Sequence, residues 1–99
     1  MEGNEIRLRG RMGEDRDRAV ISGTHTEIVT FYVYVPTGRR NRNGSIHETC
    51  LRCAVRGKQA WDAYNAPPDA IIEVTGSMDW IGDWVRGFHE VRVDTFKVL

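Results

Sequence analysis

The chain has 99 residues, 40% hydrophobic and 28% charged, and its 14 basic and 14 acidic side chains cancel. That length supports a single domain, residues 1–99, with one core and excludes a second. No apolar run approaches the ~20 residues of a membrane span. Nothing at the N-terminus has the charged-then-apolar layout of a secretory signal, so a cytoplasmic protein is expected.

Period-two alternation runs through most of the sequence and argues for an all-β domain. In a first strand Ile6, Leu8, Gly10 and Met12 alternate with Arg7, Arg9 and Arg11. The charged stretch GEDRDR then reads as a turn. A second strand, about Glu27 to Val35, puts Val29, Phe31, Val33 and Val35 on one side and Ile28, Thr30, Tyr32 and Tyr34 on the other. Next comes PTGRRNRNGSIHE, residues 36–48, whose arginine, asparagine and glycine content suggests a flexible cationic finger. In a third strand Leu51, Cys53 and Val55 alternate with Cys50, Arg52, Ala54 and Arg56.

Gly57 ends that alternation. Lys58 to Tyr64 reads as a short helix closed by Asn65 and the Pro67-Pro68 breaker, with Trp61 and Tyr64 sharing a face and Trp61 expected to plug the core. A fourth strand, Ala70 to about Trp80, turns Ile72, Val74, Gly76 and Met78 inward. WIGDWVRGFH makes a glycine-punctuated hairpin, and Glu90 to Leu99 supplies a fifth strand.

Five short strands with one helix between the third and fourth is the layout of the OB-fold, a five-stranded Greek-key barrel whose closure removes most unpaired edges. The outward face of its second and third strands commonly holds oligonucleotides. In this sequence that face is Tyr32, Tyr34, Arg52 and Arg56, joined by the arginine finger.

The neutral total hides an uneven distribution of charge. Residues 1–35 carry five arginines and six acids, residues 36–58 six cations and one acid, and residues 59–99 three cations and seven acids. The middle third is therefore a local polyanion-binding footprint. Arginine outnumbers lysine twelve to two, and planar guanidiniums fork onto phosphates and stack on bases as ammonium groups do not.

Several segments resemble the bacterial-type single-stranded DNA-binding proteins: NEIRLRGRMGED, FYVYV, ETCLRCAVRGKQA, IIEVTG and EVRVDTFKVL, in that order over roughly the whole chain. The resemblance implies sequence-tolerant binding of single-stranded DNA by a homo-oligomer, tetramer or dimer, in replication, recombination and repair, within the cytoplasm and associated with the nucleoid. RNA stays open, because stacking platforms accept both polymers. The family often places a tryptophan where Cys50 stands and an aromatic where Arg56 stands, so stacking capacity is reduced there. Its glycine-rich linker and acidic tip have no counterpart in this sequence, so a recruiting role is not expected. The rival reading is an OB-fold module for protein interaction, of primosome-accessory type, with weak or no strand binding.

On these grounds Arg39, Arg40 and Arg42 are expected to track phosphates, which position a strand without reading bases. Tyr32 and Tyr34 have two readings, base stacking at ~1–3 kcal/mol per base or packing at a subunit interface. Trp80, Trp84, Arg86 and Phe88, in or beside the second hairpin, are further candidates. Arg7 and Arg9 suit a subunit interface, and Arg11 stays open. His47, Cys50 and Cys53 spell H-x-x-C-x-x-C, but residues three apart on a strand point to opposite faces, so zinc is not expected. No catalytic constellation or phosphate-cradling glycine loop is present, so neither an enzyme nor a cofactor is expected.

Overall fold

The computed structural model describes residues 4–99. Its elements are β1 (Glu5–Val20), β2 (Glu27–Arg40), β3 (Ile46–Arg56), α1 (Lys58–Asn65), β4 (Ile71–Gly82) and β5 (Gly87–Val98). The strands close into a barrel in the order β1-β2-β3-β5-β4. β1 serves two neighbours: Glu5 to Arg11 pairs with β4 and Arg11 to Val20 with β2. Closure comes from three parallel pairs, Cys53 with Val91, Ala54 with Arg92 and Val55 with Val93.

The inward positions of the alternating runs form the core. Met12, Val29, Phe31, Val33, Cys53, Val55, Ile72, Val74 and Val91 are fully buried, and Phe96 meets Phe31 edge-on with centroids 5.5 Å apart. One end of this core is covered by α1 through Ala60 and Ala63. Gln59 ties the helix to β5, its side-chain amide donating to the Asp94 carbonyl at 2.8 Å and accepting from the Phe96 N–H at 2.6 Å.

Three expectations are corrected. Trp61 does not plug the core and remains 47% exposed. The two alanines let the helix lie close to the barrel, and Trp61, one residue past Ala60, is rotated about 100° away from that contact. GEDRDR is strand rather than turn, with a register irregularity between Met12 and Arg16. Its two arginines find partners on and beside α1. Arg16 donates to the Ala63 and Tyr64 carbonyls at the end of α1, groups that lack intrahelical partners, and Arg18 pairs with Glu27 at 2.9 Å while lying 4.6 Å from the Trp61 ring centroid. The turn itself falls at residues 21–26, closed by Ile21 N–H to the Thr26 carbonyl.

The finger is also more ordered than its composition suggests. β2 and β3 pair from Ile28 with Arg56 out to Pro36 with Glu48, and again at Arg40 with Ile46. The shift between these stretches begins at Pro36, which has no N–H to give the ladder. At the tip, Asn41 N–H donates to the Ser45 carbonyl and Gly44, at φ 86°, supplies the left-handed residue the turn requires. The result is a two-stranded arm projecting from the barrel wall.

Candidate nucleic-acid interface

Register brings the side chains of this face together. Tyr32 lies opposite Arg52 and Tyr34 opposite Cys50 on the outer surface of β2 and β3, while Arg56 sits opposite Ile28 at the far end. Phe88 joins from β5, its ring centroid 4.9 Å from the Arg52 guanidinium carbon. Arg11 joins from β1, 4.3 Å from the Tyr34 ring centroid. Two guanidinium-on-ring stacks thus stand on one wall, an arrangement in which the ring quadrupole attracts the cation.

Both guanidiniums are held by carboxylates. Arg52 donates from Nε to Glu90 at 2.8 Å and from Nη1 to the Tyr32 hydroxyl at 3.1 Å, and the bond to Glu90 is the main cause of its raised pKa. Arg11 reaches Glu48 at 2.8 Å and Asp69 at 3.0 Å, with Glu48 the main cause of the upward shift. Asp69 is well placed for this. Its N–H donates to the Met12 carbonyl at 2.8 Å, Ala70 accepts from Met12 N–H, and its φ of 65° is a left-handed conformation that aspartate tolerates. Beside this stack a cavity of about 280 Å³ is lined by Arg11, Gly13, Glu14, Asp15, Tyr32, Tyr34 and Asp69. The wall is aromatic but carries no surplus of positive charge.

The surplus lies on the arm and at the wall's end. Arg39, Arg40 and Arg42 are exposed on the arm, and Arg56 is exposed where β3 ends. Among the described residues none of the four forms a salt bridge; Arg40 donates to the Gly44 carbonyl within its own turn.

The second hairpin divides its aromatics. Phe88 pairs with Ile81 and Trp80 with His89, so Trp80 and Phe88 occupy opposite faces. The Trp80 indole meets His89 edge-on and donates to the Asp83 carbonyl at 3.0 Å. Trp84 is 95% exposed at the tip, where the Asp83 carboxylate accepts from the N–H groups of Val85 and Arg86. Those two bonds hold the Asp83 pKa below the usual carboxylate range. Of the sequence candidates, the wall therefore gathers Tyr32, Tyr34, Arg52 and Phe88; the arm carries Arg39, Arg40 and Arg42, and Trp80, Trp84 and Arg86 stand apart.

Arg9, expected at an interface, pairs with Glu73 of β4 at 3.1 Å within the chain. Cys50 is exposed and Cys53 buried, so the two thiols face opposite sides of β3. Sequence reasoning missed Glu48, Asp69 and Glu90. For two of them a signal existed: Glu48 shares strand parity with Cys50 and Arg52, and Glu90 shares it with Phe88.

No family model and no curated protein matches the sequence. Solved structures do match the fold. The protein priB from Ralstonia solanacearum superposes with a TM-score of 0.71 at 14% identity, covering 97% of this chain and 98% of that one. A small single-stranded DNA-binding protein from Streptomyces coelicolor gives 0.73 at 11% identity, covering 99% and 94%. The SSB domain of a Synechococcus sp. protein gives 0.73 at 12% identity, covering 97% and 96%. The fold is the OB-fold. Within it, the wall is the outer face of the second and third strands, and the arm is their hairpin extension. No helix among the described residues is long and apolar enough to cross a membrane.

Proposed function

We propose that this OB-fold chain is a non-enzymatic binder of single-stranded DNA that works without sequence preference. The observation that carries the reading is the convergence of Tyr32, Tyr34, Arg52 and Phe88 on one wall, continuous with an arm bearing Arg39, Arg40 and Arg42. Rings accept any base because every base has a π-face, and the arm's guanidiniums pair with phosphates without reading sequence. Such a protein keeps a strand extended and blocks reannealing and nuclease attack, a role in replication, recombination or repair in the cytoplasm, near the nucleoid. Two of the similar structures bear single-stranded DNA-binding names, which supports the reading. Assembly into a homo-oligomer belongs to the same proposal, with light scattering as its measurement.

The test is a titration with labelled single-stranded and duplex oligonucleotides at two ionic strengths, followed by the anisotropy of the label. Single-strand binding that weakens steeply with salt supports the proposal, because each neutralised phosphate releases counterions. Equal affinity for duplex, or an affinity insensitive to salt, overturns it.

A second reading, a primosome-type protein-interaction module, is favoured by one observation: the wall's two guanidiniums are already matched by Glu48, Asp69 and Glu90. It predicts no anisotropy change with labelled oligo-dT.

A further inference from the structure

The wall's two stacks share one design. At each, a ring that a base would use is occupied by a guanidinium, and that guanidinium is hydrogen-bonded to at least one carboxylate: Tyr34 beneath Arg11 with Glu48 and Asp69, and Phe88 beneath Arg52 with Glu90. A carboxylate presents the same paired oxygens to arginine's fork as a phosphate does. We infer that Glu48, Asp69 and Glu90 are intramolecular stand-ins for phosphate, and that they set the affinity of the wall by competing with an incoming strand for Arg11 and Arg52. This inference rests on the single-strand reading above.

The exchange is specific. As a base reaches Tyr34, the Arg11 guanidinium leaves the ring and its carboxylate partners and turns to the strand's phosphate; Arg52 does the same at Phe88. Each exchange replaces one anion by another, so the freed carboxylate takes up a cation while the phosphate gives one up. These two arginines then add little to the salt dependence, which the arm and Arg56 carry. Removing Glu90, the one carboxylate on Arg52, restores that arginine's share, about 0.7 in the slope of log affinity against log salt on single strands, and removing Glu48 restores part of it at Arg11, which keeps Asp69.

The experiment uses the full chain and a thymidine oligonucleotide of about 16 nucleotides, the upper site size of a single OB-fold. Glu48→Gln and Glu90→Gln keep side-chain shape and remove charge. Asp62→Asn makes the same charge change on α1, away from the wall, and thermal melts confirm that each variant folds. Each wall variant is expected to bind about two- to fivefold tighter than the parent, the range of partly exposed ion pairs, with a steeper salt slope, while Asp62→Asn binds as the parent does. Folded wall variants that bind equally or more weakly overturn the inference, as does Asp62→Asn tightening by the same factor. If parent and variants all fail to bind, the single-strand reading falls with the inference; if only the wall variants bind, the carboxylate competition stands and the single-strand reading of the native chain falls. Glu48, more exposed than Glu90, carries the test should Glu90→Gln fail to fold.

Discussion

Gly87 lies directly under the indole of Trp80: a Cβ at that position would stand 2.5 Å from the ring's Cε2 and Cζ2. The absent side chain lets Trp80 fold back across the β4–β5 hairpin and donate to Asp83. Gly87→Val is expected to expel the ring, at ~1–3 kcal/mol, the usual cost of overpacking. Tryptophan emission moving to longer wavelength, with a lower urea midpoint, checks it.

The arm makes a separable prediction. Replacing Arg39, Arg40 and Arg42 together by alanine removes exposed charges and is expected to leave stability within ~0.5 kcal/mol. The same change should weaken oligonucleotide binding and flatten the salt slope by about 2, from ~0.7 for each of the three phosphates lost. Urea titration and binding at several salt concentrations measure the two effects.

Arg52 links three residues of the wall. Arg52→Ala leaves the Glu90 carboxylate, only 14% exposed, without its cation and Tyr32 without its donor. A loss of about 1–3 kcal/mol is expected, the cost of a part-buried acceptor losing its partner. Arg52→Lys should recover only part of it, since an ammonium cannot meet Glu90, Tyr32 and the Phe88 ring at once. Urea midpoints of both variants decide this.

The cysteines should differ in chemistry. Burial pushes the Cys53 thiol up from 9.0 to about 12, whereas Cys50 is exposed. One alkylation per native chain is expected at pH 8, at Cys50, and two in urea, counted by mass spectrometry. The raised value also fixes a sign. The unfolded chain releases the Cys53 proton first, so the stability tied to the neutral thiol is complete below about pH 9 and lost as pH rises toward 12. Cys53→Ala should flatten stability against pH across that window.

Much of the barrel was legible because inward and outward side chains alternate without interruption from Val29 to Val35 and from Ile72 to Met78. The same parity placed Tyr32, Tyr34 and Arg52 on one face. The partners of that face were harder to read. Arg11 meets Glu48 across 37 positions and Arg52 meets Glu90 across 38, and counting charge by segment discards such pairings. Trp61 was misread because size suggested burial, while close helix packing favoured Ala60 and Ala63. GEDRDR looked like a turn because strands are rarely so charged; here α1 carbonyls and the Trp61 ring receive its arginines.

The three-pair seam between β3 and β5 governs how the molecule comes together. Every other junction of the barrel joins strands in longer antiparallel ladders, whereas Cys53 and Val91 belong to a short parallel register and are 38 positions apart along the chain. Loop-closure entropy opposes that encounter until β4 and β5 have zipped. Hydrogen exchange at Ala54 and Arg92 should therefore report the earliest breach of the native cylinder, and refolding should end with this stave locking into place.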